Sequence, residues 1–162
     1  MNSPRSEPTS MGEPVRVGSR APDFTLPNQA GESVRLYDVV GKKSVVLYFY
    51  PKDNTGGCTK EACAFRDSYE AFTNAGVEVI GVSSDSSDSH AGFARQNQLP
   101  FVLLSDVGGA VRKRYGVPKT FGLIPGRVTY VIDRDGIVRH IFSSQFAAEK
   151  HVAEAMKMLN AM

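Results

Sequence analysis

The 162-residue chain reads as a single α/β domain with a central mixed β-sheet flanked by helices. Three observations predict it. Val45 to Tyr50 is an unbroken β-branched and aromatic run, the composition of a strand buried on both faces in a parallel sheet. A stretch with Ala62, Phe65, Tyr69 and Phe72 spaced three and four apart, the period of an amphipathic helix, separates it from the next such run, Val77 to Val82. Late in the chain, Val128–Ile132 and Ile137–Phe142 flank Asp133-Arg134-Asp135-Gly136, a hairpin signature in which Gly supplies positive φ.

Taken in order, Asp23–Leu26 and Ser33–Leu36 are short strands around the turn Asn28-Gln29-Ala30-Gly31. Pro51 ends the first long strand, and residues 52–57 form a loop. A helix is expected from about Cys58 to Asn74, with Gly76 placed to stop it. Strand–helix–strand implies parallel pairing through a right-handed crossover. Ser89–Gln98 and Val107–Tyr115 are helix candidates around a short strand, Phe101–Leu104. A terminal helix is expected from about Ala147 to Asn160, with Val152, Met156 and Leu159 inward. Parallel strands first, then an antiparallel hairpin and a closing helix, make the layout thioredoxin-like. The folded domain is expected over residues 15–162, after a disordered tail over residues 1–14.

Composition excludes several functions. The chain is 41% hydrophobic and 22% charged, with net charge +2, which carries no nucleic-acid footprint. Its densest basic run, Arg112-Lys113-Arg114, reads as a solvated helix face. No apolar run reaches the ~18–20 residues of a membrane span. The opening residues lack the apolar core of a secretory signal, and read as a disordered tail, an expression remnant or the stub of a processed transit peptide. A reducing compartment, the cytoplasm, is the default expectation, and disulfides there are transient and catalytic.

Two cysteines, Cys58 and Cys63, make no disulfide framework, and with His90, His140 and His151 dispersed they compose no zinc site. The histidines read as surface or satisfied side chains. Cys58 stands where a buried strand has ended and a helix begins. Unpaired N–H groups and the helix dipole there favour thiolate over thiol. Thr55, Gly56 and Gly57 just before it let the backbone approach a substrate closely. Five residues along an ideal helix put Cys63 about 8.7 Å away and about 140° around the axis. A disulfide needs Cα atoms within roughly 7 Å. Either the spacing is accidental, or the first turns unwind in each cycle.

A thiolate can attack one peroxide oxygen and expel the other, leaving a sulfenic acid. Charge grows on the departing oxygen, so donors are needed there; the Thr55 hydroxyl and the backbone N–H groups of Gly57 and Cys58 are candidates. An arginine beside the sulfur would stabilise both thiolate and transition state. Arg127, opening a strand after Pro125-Gly126, is one candidate.

At these residues the sequence resembles the peroxiredoxins, within them the bacterioferritin-comigratory or Q type. The likeness runs from about Gly18 onward and is carried by VVLYFYPKDNTGGCTKEACAFRDSYEAF, with VGSRAPDFTLPNQAG before it and LLSD, VRKRYGVP and PGRVTYVID after it. The signature P-x-x-x-[TS]-x-x-C falls on Pro51, Thr55 and Cys58, and C-x-x-x-x-C reaches Cys63. The resemblance implies hydroperoxide reduction with Cys58 peroxidatic and Cys63 resolving, closing a transient disulfide. It implies that Thr55 binds the peroxide, Pro51 shields the thiolate and Arg127 is the active-site arginine. It also implies thioredoxin or a related dithiol as reductant, no metal or haem cofactor, and a monomer or dimer.

Where the family commonly has T-P-G-C-T, this chain has Gly56, which is expected to loosen the loop. Gln145-Phe146 with Glu149-Lys150-His151 is similar to chloroplast and cyanobacterial members, making the chloroplast stroma the alternative location. Two other functions compete: a general dithiol–disulfide oxidoreductase, against which the missing C-x-x-C counts, and a redox sensor or holdase chaperone.

Overall fold

The computed structural model describes residues 15–120, 124–145 and 147–161. The tail expected over residues 1–14 lies outside them, as do Phe146 and Met162.

In chain order the elements are β1 (Thr25–Pro27), β2 (Ser33–Arg35), a 3-10 turn (Leu36–Asp38), β3 (Ser44–Phe49), α1 (Gly56–Asn74), β4 (Val77–Ser83), α2 (Ser87–Gln96), β5 (Val102–Ser105), α3 (Ala110–Tyr115), β6 (Lys119–Thr120), β7 (Ile124–Pro125), β8 (Val128–Ile132), β9 (Val138–Ser143) and α4 (Ala148–Ala161). The main sheet has the order β5-β4-β3-β8-β9. β3, β4 and β5 are parallel; β8 is antiparallel to β3, and β9 to β8. This is the mixed, thioredoxin-like sheet that the sequence predicts.

All six residues of β3 are buried, and they alternate between two cores. Val45, Leu47 and Phe49 join Ile80, Val82, Tyr115 and Tyr130 on one face. Val46 and Tyr48, with Tyr50 just past the strand, join Cys58, Ala62, Phe65, Phe72 and Val152 on the other, under α1 and α4. An unbroken apolar strand is what burial on both faces requires.

Some boundaries differ from expectation. α1 begins at Gly56, two residues early, because Thr55 already has the extended backbone of an N-cap (φ −86°, ψ 155°). Cys58 is therefore the third helical residue. The helix expected from Val107 starts only at Ala110, since Gly108 and Gly109 are left-handed (φ +87° and +76°). The Asp106 carboxylate then accepts from the N–H groups of Val111 and Arg112. β1 and β2 are shorter than expected because Leu36 to Asp38 close into a 3-10 turn. The β6–β7 pair is too short for a periodic signal.

Candidate active site

The loop from β3 to α1 is fastened at Asp53. Its N–H donates to Asp85 Oδ2 at 2.8 Å. Its carboxylate accepts from Tyr50 Oη (2.6 Å), Ser89 Oγ (2.8 Å) and His90 Nδ1 (2.7 Å). Both nitrogens of the fully buried His90 face acceptors, since Nε2 lies 3.0 Å from the Leu104 carbonyl; a ring with hydrogen on both fits best. Burial works against the Asp53 anion, yet hydrogen bonds from His90 and Tyr50 hold its pKa below the ordinary value. Asp53, Asp85 and His90 cluster closely, and both Asp53 oxygens and Asp85 Oδ2 accept hydrogen bonds within this network.

From this anchor the chain turns through Asn54 in a left-handed conformation (φ 65°) into α1. Thr55 is exposed and does not cap the helix with its side chain; its hydroxyl donates to the Lys52 carbonyl at 3.0 Å. That leaves the Thr55 oxygen free to accept. The first intrahelical bond is Thr59 N–H to Thr55 O, so the N–H groups of Gly56, Gly57 and Cys58 precede the ladder.

Cys58 turns inward and is 1% exposed. Arg127, just ahead of β8, reaches across to it, with Nη2 3.4 Å from Sγ. The guanidinium is held from three sides. Nη1 donates to Glu61 Oε1 at 2.6 Å and Nε to the Gln145 carbonyl at 3.2 Å. A Cβ on Gly57 would stand 3.0 Å from Nη2, so only glycine leaves the guanidinium its place.

Glu61 has no exposure, and desolvation, only partly offset by Arg127, lifts its pKa to about 8. Behind it lies His151 of α4, also fully buried, whose Nδ1 is 3.6 Å from Glu61 Oε2 and 2.8 Å from Thr129 Oγ1. Desolvation takes His151 down to about 4.

Of the residues singled out from sequence, Cys58 and Arg127 are brought into contact, with the N–H groups of Gly57 and Cys58 beside them. Pro51 is half-buried at the start of the loop. Cys63 is set apart and half-buried, with Sγ 3.8 Å from Asn97 Oδ1, and it lines a groove of about 620 Å³ between α1 and α4. Both thiols are free and α1 is continuous, so the two sulfurs cannot bond in this conformation. Sequence reasoning missed Glu61, Asp53 and the roles of His90 and His151. A signal existed for two of them. Glu61 and His151 are charged or titratable residues on the inward stripes of α1 and α4, in register with Cys58 and Ala62, and with Ala148, Val152 and Ala155.

Residues 17–141 match the model of the AhpC/TSA family. The chain is 54% identical over 149 residues to peroxiredoxin Q, chloroplastic, of Sedum lineare, covering 91% of this chain and 80% of that one. It is 57% identical over 148 residues to the Arabidopsis thaliana protein of the same name, covering 91% and 68%. Among solved structures, peroxidoxin BcpB of Mycobacterium tuberculosis superposes with a TM-score of 0.85 at 37% identity, over 91% of this chain and 98% of that one. The bacterioferritin comigratory protein of Xanthomonas campestris, whose structures address alkyl peroxide reduction, gives 0.80 at 28% identity, over 91% and 96%. With a buried cysteine under an arginine and this kinship over most of its length, the chain belongs to the AhpC/TSA family as a peroxiredoxin of the Q or bacterioferritin-comigratory type, a thiol peroxidase.

Proposed function

We propose that Cys58 is the sulfur that reduces hydroperoxides, that Cys63 resolves it, and that a dithiol protein such as thioredoxin recycles the pair. The observation that carries this reading is the Arg127 Nη2 to Cys58 Sγ contact of 3.4 Å in a site closed to bulk water. There a fixed cation acts in a low dielectric and is worth far more than in solution.

The Cys58 thiolate attacks the nearer peroxide oxygen, a new S–O bond forms, and the O–O bond breaks. The departing alkoxide or hydroxide takes a proton, and Cys58 is left as sulfenic acid. Arg127 stabilises the thiolate first and then the charge moving along the O–O axis. The N–H groups of Gly57 and Cys58 donate to the peroxide, and the Thr55 oxygen, its own hydrogen directed at the Lys52 carbonyl, accepts a hydrogen bond from the hydroperoxide O–H. Pro51 limits access from the loop side.

The first turns of α1 then unwind. The Cys63 thiol attacks the sulfenic sulfur, water leaves, and a disulfide closes. An external dithiol reduces it by thiol–disulfide exchange. The chain acts on hydrogen peroxide and organic hydroperoxides, the latter supported by the alkyl peroxide activity named for the Xanthomonas relative. The chloroplastic names of the plant relatives favour a stromal location over the cytoplasm. Peroxide turnover coupled to thioredoxin tests the whole scheme. Cys58→Ser should show none, and Cys63→Ser should form the sulfenic acid but lose efficient recycling. Undiminished turnover by Cys58→Ser would overturn it.

A further inference from the structure

Behind Arg127, two buried side chains bear on the state of the reacting sulfur. One guanidinium serves two acidic groups, Cys58 Sγ at 3.4 Å and Glu61 Oε1 at 2.6 Å. Both are out of water, at 1% and 0% exposure. Two anions beside one buried cation repel each other, so ionisation of one favours a proton on the other.

The tie is broken behind Glu61. His151 Nε2 lies 2.9 Å from the Ser144 carbonyl, which only accepts, so Nε2 carries the hydrogen. Desolvation keeps the ring neutral, with its pKa at about 4. Nδ1 therefore carries no hydrogen, and its lone pair takes the Thr129 hydroxyl hydrogen at 2.8 Å. The same nitrogen stands 3.6 Å from Glu61 Oε2, beyond hydrogen-bond reach, and Oε2 has no hydrogen-bond partner among the described residues. An ionised Oε2 would be buried against a nitrogen that offers it no hydrogen; a protonated one carries no charge that needs a donor. Tyr48 of β3 also faces the group, and burial, with the charges of Glu61 and Cys58, keeps it a neutral phenol. Arg127 is the one cation acting on Glu61 among the described residues.

We propose that His151 is a positioning residue for the peroxidase centre: its hydrogen-free Nδ1 denies Glu61 Oε2 a donor and so favours the acid form of Glu61, which leaves the charge of Arg127 to the Cys58 thiolate. The inference rests on Cys58 being the reacting sulfur. It makes His151 of α4, which does not itself touch the sulfur, part of what sets the reactivity of that site.

His151→Asn can present an amide N–H to Oε2 and so favour the Glu61 anion. The rate of hydrogen peroxide reduction at pH 7 should fall about tenfold, with the rising limb of its pH profile moved up by about one unit. In a Glu61→Gln background, where no anion can form, the same substitution should change the rate less than about twofold. Equal slowing in both backgrounds, or an unmoved limb, would mean that His151 only packs. A measurement without substitutions guards against misfolding. In the intact protein at pH 7, carboxyl carbon NMR should place Glu61 in the acid form, and ring-nitrogen shifts should place hydrogen on His151 Nε2. An ionised Glu61 or a hydrogen on Nδ1 would overturn the proposal. Failure of the peroxidase reading shows instead as turnover by Cys58→Ser, which these NMR signals do not report.

Discussion

The guanidinium of Arg127 lies 3.4 Å from the sulfur of Cys58, although 69 residues separate them in the chain. The contact exists because β8 runs antiparallel beside β3, so the start of one strand meets the end of the other. The loop after β3 leads into α1, and Arg127 precedes β8. The sheet order brings the cation to the helix start.

Gly57 guards that contact. An alanine Cβ would stand 3.0 Å from Nη2, so the guanidinium would have to give by a few tenths of an ångström. Gly57→Ala should leave the melting temperature nearly unchanged and slow peroxide reduction at least tenfold in stopped-flow measurements. A normal rate would show that the guanidinium position is not critical.

Gly56 should accept proline. It is the first helical residue, a position proline favours, and a Cβ there meets nothing within 4 Å. Thr55 before it already has the extended backbone that a following proline demands. Gly56→Pro should stabilise the reduced protein by about 0.4–1 kcal/mol through the unfolded chain. It should also slow closure of the Cys58–Cys63 disulfide after a peroxide pulse, because the first turn becomes harder to unwind. Urea unfolding and quenched-flow alkylation read the two effects.

Glu61 should make stability fall with rising pH. Its folded-state value, raised from 4.5 to about 8, means that the folded protein keeps a proton which the unfolded chain has lost. That contribution is full below 4.5 and disappears as the pH passes 8. His151, lowered from 6.5 to about 4, has the opposite slope at acid pH, so the window from 6.5 to 8 isolates Glu61. In a Cys58→Ser background, which removes the thiol titration, unfolding free energy should drop by about 1–2 kcal/mol across that window. Adding Glu61→Gln should flatten the curve.

The Asp53–His90 pair should hold the active-site loop. His90→Phe keeps a ring in place but takes from the buried Asp53 carboxylate its ring nitrogen partner, a change costing about 1–3 kcal/mol. Amide exchange in residues 51–56 should rise with it. Unaltered exchange there would mean the loop is held by other contacts.

The sheet was legible because its strands obey simple patterns. Val45–Tyr50 needed both faces buried, and Asp133–Gly136 needed a turn. Cys58 was legible because a helix start leaves N–H groups open. The pairing of Arg127 with Glu61 was not, since a glutamate on the inward stripe of α1 does not by itself name its cation; the sheet order that brings Arg127 to the helix start decides that. Asp53 was hidden for a related reason. A loop aspartate ordinarily reads as a turn residue, and its three side-chain partners come from Tyr50, just past β3, and from Ser89 and His90 of α2. The delayed start of α3 followed from two glycines whose handedness depends on the Asp106 cap.

The central claim is that the sulfur of Cys58, ionised beside Arg127, takes the peroxide oxygen. Exposing the Cys63→Ser protein to one equivalent of hydrogen peroxide with a sulfenic-acid trap, then locating the adduct by peptide mass spectrometry, tests it most directly. The expected product is a single adduct on Cys58, formed within the mixing time and lost in Arg127→Gln at equal peroxide. Peroxide consumed with Cys58 left unmodified would contradict it.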